Sequence, residues 1–134
     1  MYDSEKVVQI NVDTDIVVAR QEGRALAAHL GLSVSEQVFV ATAISEAARN
    51  ILQYAGKGTI TLSQVEESNK QGVLIIARDT GPGIADIERA MEDGFSSSGG
   101  LGLGLPGIKR LMSDLQVISE VGKGTTLIMR MWKL

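Results

Sequence analysis

Two residues suited to phosphate chemistry, Glu46 and Asn50, are spaced so that a helix places them on the same side. The amide oxygen of Asn50 is a ligand that Mg²⁺ accepts alongside phosphate oxygens and water. Glu46 can accept a proton from a hydroxyl or water aimed at a terminal phosphate. An isolated Glu-x-x-x-Asn pattern is most often a solvated helix face, so this pair needs support from elsewhere in the chain.

A second candidate site is the turn Asp79-Thr80-Gly81-Pro82-Gly83, which follows an apolar run typical of a buried strand. Gly81 and Gly83 permit backbone angles that a side chain forbids, and they let a flat ligand approach closely. The carboxylate of Asp79 can accept a hydrogen bond from an exocyclic amine, such as the N6 amine of adenine. A plain turn of Asp, Gly and Pro residues is the alternative interpretation.

A third candidate site is the glycine-rich run at residues 99–104, which offers free backbone N–H groups before a helix. The run lacks the Lys-Ser or Lys-Thr of a Walker loop, and it does not follow a strand as a dinucleotide fingerprint does. Residues 94–98 are rich in Gly and Ser, so they predict either a closing lid or a flexible linker. The predicted phosphate contacts are Gly100, Leu101, Gly102, Leu103 and Gly104. Together with the first two motifs, this run predicts a site for a nucleotide and its metal ion.

The elements that must position these residues alternate along the chain without a linker. Alternating or continuous apolar residues predict strands at residues 8–12, 59–65, 73–77, 116–121 and 125–132. A polar hairpin turn is expected at residues 66–72, and a tight turn at residues 122–124. Because the strands at 59–77 and 116–132 form hairpins, we predict a mixed, mainly antiparallel sheet with helices on one face. This is a two-layer α/β sandwich, and the length favours a single domain over residues 1–134.

The predicted helices are marked by capping residues and by apolar stripes. Asp13, Thr14 or Asp15 can cap the first helix, and Ser33 or Ser35 the second, which runs to about Tyr54. A short helix follows Gly83, and the last helix has Pro106 in its first turn.

Two stripes run along the second helix. The apolar stripe consists of Val40, Ile44, Ala47 and Ile51. The polar stripe consists of Thr42, Glu46, Asn50 and Gln53. Because the polar stripe lies about a quarter turn from the apolar one, it is predicted to line the edge of a cleft.

Composition excludes several function classes. The net charge of −3 gives no indication of a nucleic-acid partner. The chain has no cysteine, so it can form neither a disulfide nor a thiolate metal site. No apolar run approaches the ~18 residues that a membrane helix needs, and the first residues lack the regions of a signal peptide. A soluble, cytoplasmic protein is expected.

The order and spacing of the motifs resemble the GHKL ATPases, which share the Bergerat nucleotide-binding fold. Residues 46–50 look like the N box, residues 79–83 like the G1 box and residues 100–104 like the G2 box. Gly122-Lys123-Gly124-Thr125 looks like the final G-x-G-T element, although alone it is most often a hairpin turn. The resemblance implies that Asn50 ligates Mg²⁺, Glu46 is the catalytic base and Asp79 binds adenine. It also implies that Thr125 contacts ATP, and that residues 93–104 form the ATP lid.

Within that family, the chain resembles the bacterial serine kinases of partner-switching systems. Residues 50–58 and 91–102 look like the stressosome switch kinases. The anti-sigma kinases more often carry a second Asn and a His-Ala or His-Gly pair after the N box. The resemblance implies phosphorylation of STAS-domain scaffold proteins, followed by activation of a PP2C-type phosphatase. The alternatives are an anti-sigma factor kinase that binds a sigma factor, and a non-catalytic ATP-dependent binding module.

Overall fold

The computed structural model describes residues 5–92 and 104–134 of the chain. Its strands are β1 (Lys6–Ile10), β2 (Gly58–Glu67), β3 (Lys70–Asp79), β4 (Asp114–Glu120) and β5 (Gly124–Trp132). Its helices are α1 (Asp13–His29), α2 (Val34–Asn50), α3 (Ile87–Ala90) and α4 (Gly104–Leu111), and a turn of π-helix, Ile51–Ala55, continues α2. Among these described helices, none is long and apolar enough to cross a membrane.

The strands form a five-stranded sheet in the order β1-β2-β3-β5-β4. Buried side chains alternate with more exposed ones along the strands, and the buried ones form a single core cluster with residues of the helices. The predicted two-layer α/β sandwich, with helices on one face of a mainly antiparallel sheet, is therefore confirmed. The prediction allowed for a parallel pair. Every pairing of the described strands is antiparallel. In particular, β5 lies between β3 and β4 and runs opposite to both.

The apolar stripe predicted for α2 forms the centre of the core. Val40, Ile44 and Ala47 are fully buried, and Ile51 is exposed by 2%. Ser33 caps the helix, because its hydroxyl accepts from the Glu36 N–H at 3.1 Å. The Glu36 carboxylate in turn accepts from the Ser33 N–H at 2.7 Å, which completes a capping box. Of the two predicted caps, the structure therefore selects Ser33.

The start of α1 differs from its prediction. Val12 was placed in the first strand, but it is the N-cap residue of α1, and its side chain is 56% exposed. Asp15 does not occupy the cap position; its Oδ2 accepts from the N–H groups of Asn11 at 2.8 Å and Val12 at 3.0 Å. These two hydrogen bonds lower the pKa of Asp15. The apolar alternation misled the prediction, since Val12 continues the pattern of Val8 beyond the end of β1.

The hairpin between β2 and β3 is tighter than predicted. The strands extend to Glu67 and from Lys70, so the turn contains Ser68 and Asn69 rather than the whole of residues 66–72. Both turn residues have positive φ angles, 50° and 66°, as a two-residue type I′ turn requires. The ends of the two strands carry mostly polar, exposed residues, so apolar alternation could not mark them as strand.

Candidate nucleotide-binding site

One row of paired residues crosses the end of the sheet. Ile10 pairs with Gly58, Gly58 with Asp79, Asp79 with Thr125, and Thr125 with Ser119. Paired residues project from the same face of a sheet. Two residues further along β1, β2, β3 and β5, the neighbouring row is buried in the core, so this row also faces the helices. The row therefore forms the floor of any cleft between the helices and this end of the sheet.

The C-terminal end of α2 packs against this floor because Gly58 and Gly81 have no side chain. A Cβ atom on Gly58 would lie 2.8 Å from Ile51 Cγ2, and one on Gly81 would lie 2.6 Å from Ala55 Cβ. Both contacts involve the π-helical turn that continues α2. Because Ile51 follows Asn50 directly, the packing brings the end of the N box beside the strand end that carries Asp79.

Asp79 is half-buried and already makes one hydrogen bond within its own turn. Its Oδ1 accepts from the Gly81 N–H at 2.9 Å. This bond orients the carboxylate. It leaves the second oxygen, Oδ2, as an acceptor for a bound ligand. A carboxylate held in this way can accept from an amine, which remains the predicted role of Asp79.

The Asp79 turn is joined to the β4–β5 hairpin by close backbone contacts. Gly83 has a φ angle of +79°, and a Cβ there would lie 2.4 Å from the Glu120 carbonyl oxygen. The N–H of Gly122 donates to the Pro82 carbonyl at 2.8 Å. The G1 and G-x-G-T elements are thus parts of one structure, although about forty residues separate them in the chain.

Ser119 is a residue of this site that the sequence analysis missed. Its hydroxyl accepts from the Ile84 N–H at 2.8 Å, donates to the Gly124 carbonyl at 3.0 Å, and lies 2.9 Å from Thr125 Oγ1. The only signal in the sequence is its position, since it follows Leu115 and Val117 on the helix-facing side of β4. A polar residue at such a position needs partners.

Glu46 is buried on α2, with 8% of its surface exposed. Its Oε1 accepts from Arg49 Nη1 at 2.9 Å, and the arginine side chain is itself half exposed. The rest of the predicted polar stripe is less buried: Thr42 and Asn50 are half-buried, and Gln53 is exposed on the π-helical turn. The stripe therefore passes from the core to solvent, as a cleft edge does.

A metal ion would have few protein ligands here. Residues 5–92 and 104–134 contain no group of three or more His, Cys, Asp or Glu side chains that could hold an ion. Mg²⁺ is commonly bound through one or two protein oxygens together with phosphates and water. The half-buried amide of Asn50, at the last residue of α2, fits that role.

The glycine run is only partly within the described residues. Gly104 begins α4 with a φ angle of +66°, and Pro106 lies in the first turn of that helix, as predicted. The other predicted phosphate contacts lie outside the described residues; they are Gly100, Leu101, Gly102 and Leu103. The predicted lid also lies outside the described residues, up to residue 103.

A comparison with protein families identifies the type of domain. The profile described as histidine kinase-, DNA gyrase B-, and HSP90-like ATPase matches residues 35–133. The matched region begins in α2 and ends just after β5, so it contains Glu46, Asn50, Asp79 and Thr125.

Individual relatives cover nearly the whole chain. The chain is 52% identical over 128 residues to the serine/threonine-protein kinase RsbT of Bacillus subtilis, and the match covers 96% of both chains. It is 33% identical over 135 residues to the anti-sigma F factor of Clostridium kluyveri, covering 97% of this chain and 95% of that protein.

Solved structures share the fold at lower sequence identity. The RsbU and RsbW domains of a Mycobacterium tuberculosis protein match with a TM-score of 0.62 and 19% identity, over 94% of this chain and 32% of that one. The mycobacterial sensor histidine kinase MprB matches with a TM-score of 0.57 and 18% identity, over 97% of this chain and 98% of that one.

Proposed function

The chain belongs to the family of histidine kinase-, DNA gyrase B- and HSP90-like ATPases, and from this premise we propose that it is an ATP- and Mg²⁺-dependent protein serine/threonine kinase. The observation that carries the proposal is the pairing of Asp79 with Thr125 at the sheet end against which α2 packs. The relative at 52% identity over 96% of the chain is itself a serine/threonine-protein kinase.

In this proposal each residue has a separate role. Asp79 accepts from the N6 amine of adenine, and Gly81 and Gly83 let the base approach the backbone. The Asn50 amide oxygen holds Mg²⁺, which supplies charge neutralisation at the phosphates. Thr125 contacts the nucleotide from the neighbouring strand. The N–H groups at the start of α4, beginning with Gly104, receive phosphate.

Glu46 is the base that accepts the proton of the substrate hydroxyl. A buried carboxylate is protected from bulk water, so its charge acts strongly on a nearby hydroxyl. Arg49 holds the Glu46 carboxylate in the described structure. The substrate hydroxyl must therefore take up one of the carboxylate's acceptor positions when it binds.

We further propose that the kinase acts in the cytoplasm, in a bacterial partner-switching stress pathway. Its substrates are STAS-domain scaffold proteins of a stressosome, and after phosphorylating them it binds and activates a PP2C-type phosphatase. A phosphoryl group adds roughly −1.5 to −2 charges to the substrate. This chain has a net charge of −3 and holds ATP phosphates at the same site, so repulsion favours release of the phosphorylated product.

A second candidate function is supported by the anti-sigma F factor relative, which is 33% identical over 97% of the chain. In that case the protein binds a sigma factor and phosphorylates an antagonist. The non-catalytic module is a weaker alternative, because a module that only binds ATP has no use for a buried carboxylate at Glu46.

One experiment separates these functions. The purified protein is incubated with ATP, Mg²⁺ and either a STAS-domain protein or a sigma factor from the same genome, and products are mapped by mass spectrometry. Phosphoserine or phosphothreonine on the STAS protein, without a stable sigma-factor complex, supports the switch kinase. A stable sigma-factor complex supports the anti-sigma role, and ATP binding without transfer to the STAS protein supports the binding module.

A further inference from the structure

The hydrogen bonds of Ser119 determine the direction in which the Thr125 hydroxyl points. A hydroxyl has a single proton to donate and two lone pairs with which to accept. The Ile84 N–H can only donate to Ser119 Oγ, and the Gly124 carbonyl oxygen can only accept from it. The proton of Ser119 is thereby used. The 2.9 Å contact between the two hydroxyls is therefore donated by Thr125 and accepted by Ser119.

This direction leaves Thr125 with lone pairs only. Asp79, its partner across β3 and β5, is also an acceptor, and its Oδ1 already accepts from Gly81. The two side chains in the centre of the floor therefore present acceptors and no donor. A ligand edge that meets them must bring N–H groups, and a carbonyl oxygen in the same place would face lone pairs without a hydrogen bond.

We infer that Ser119 is a specificity-determining positioning residue, which fixes Thr125 as an acceptor and so makes the Asp79–Thr125 pair select a base that carries its amine at the position of the adenine N6. The inference rests on the proposed function, because it assumes that a nucleotide base occupies this floor. It adds to that function a residue that touches no ligand and acts through Thr125. Loss of Ser119 leaves the Thr125 hydroxyl free to rotate and donate to a carbonyl.

The test compares ATP with purine riboside triphosphate, in which a hydrogen atom replaces the amine of the base and N1 stays an unprotonated acceptor, as it is in adenine. Both nucleotides carry the same triphosphate, so the ratio of their affinities reports on the base edge alone. With Mg²⁺ in excess, titration calorimetry should show that the wild-type protein prefers ATP. In Ser119→Ala we expect the ratio of ATP affinity to purine riboside triphosphate affinity to fall about five- to tenfold, as for one hydrogen bond to the amine lost.

Three further variants separate positioning from general loosening. Ser119→Thr keeps the hydroxyl and should retain the wild-type ratio, whereas Ser119→Cys has a weak hydrogen-bonding group and should lower it by a smaller factor. Thr126→Val is the matched control, since Thr126 adjoins Thr125 but lies on the opposite face of the sheet. A merely structural role for Ser119 would weaken both nucleotides equally and leave the ratio unchanged.

The outcomes distinguish this inference from the proposed function. An unchanged ratio in Ser119→Ala overturns the inference, and if that variant does not fold, an unchanged ratio in Ser119→Cys does so. A wild-type protein that binds neither nucleotide contradicts the proposed function as well. A lowered ratio with a normal ratio in Thr126→Val and Ser119→Thr supports the inference.

Discussion

Asp79 and Thr125 occupy paired positions on β3 and β5, at the end of the sheet where α2 packs. Paired residues in an antiparallel sheet have Cα atoms about 4.5–5.5 Å apart, so two motifs that are distant in the sequence act as one. The same row contains Ser119, which hydrogen-bonds the Thr125 hydroxyl. It also contains Gly58, whose missing side chain makes room for Ile51. The candidate site is therefore built on the sheet, and its precision depends on the hydrogen bonds between the strands.

Asn50 should be the protein ligand of the metal. Asn50→Ala removes the amide oxygen, and we expect the affinity for ATP in the presence of Mg²⁺ to fall about tenfold. Gln53→Ala is the control, because it removes an exposed amide from the π-helical turn that follows. Titration calorimetry with and without Mg²⁺ measures the effect, and an unchanged Mg²⁺-dependent affinity would show that Asn50 is not a ligand.

Asp79 should recognise the adenine amine. In Asp79→Asn one acceptor becomes a donor, so ATP binding should weaken by about tenfold or more while the weaker binding of GTP changes less. The two nucleotides serve as each other's control in one competition assay. If both affinities fell by the same factor, Asp79 would have a role in shaping the turn rather than in recognising the base.

Gly124 should be required by its surroundings, and Gly122 by its backbone angle alone. A Cβ on Gly124 would lie 2.1 Å from the Asp79 carbonyl oxygen, whereas nothing lies within 4 Å of one on Gly122. We expect Gly122→Ala to lower the free energy of unfolding by about 1 kcal/mol, and Gly124→Ala by at least about 3 kcal/mol. Urea denaturation measures both. Equal losses would refute the close approach of the hairpin to β3.

The carboxylate of Asp15 should stabilise α1 in a pH-dependent way. The N–H groups of Asn11 and Val12 lower its pKa in the folded protein from the usual 3.8. A lowered pKa means that the stabilisation is present at neutral pH and is lost as the pH falls through the folded-state pKa. Asp15→Asn should therefore be less stable than the wild type at pH 7 and similar to it once the carboxyl is protonated.

The control for this prediction is Asp13→Asn, which removes a charge from the same first turn of α1. The helix dipole acts on both residues, so the difference between the two variants reports the Asp15 hydrogen bonds. Denaturation curves at neutral and strongly acidic pH give the comparison. A destabilisation of Asp15→Asn that did not change with pH would contradict the assigned cause.

The sequence predicted the layers of the fold because helical periodicity is a strong signal. Val40, Ile44 and Ala47 recur at helical spacing and are all fully buried. The ends of the elements were harder to predict, since they depend on single hydrogen bonds. Apolar alternation continues through Val12 although the chain has already turned toward α1.

The motifs of the candidate site were visible in the sequence, but its assembly was not. Short patterns mark Glu46, Asn50 and Asp79, whereas the register that pairs Asp79 with Thr125 is set by packing along the whole length of β3 and β5. Ser119 had no motif, because its role comes from partners on other segments of the chain. Its signal was a polar residue at a core-facing strand position.

The central claim is that this site transfers phosphate and that Glu46 is the base. The most direct measurement is the rate at which the wild-type protein and Glu46→Gln phosphorylate a STAS-domain substrate, together with the ATP affinity of each. Glu67→Gln, at the exposed end of β2, is the control for loss of a carboxylate. We expect Glu46→Gln to retain ATP binding and to transfer phosphate about 10²–10⁴-fold more slowly. A near-normal rate in Glu46→Gln, or no transfer by the wild-type protein, would contradict the account.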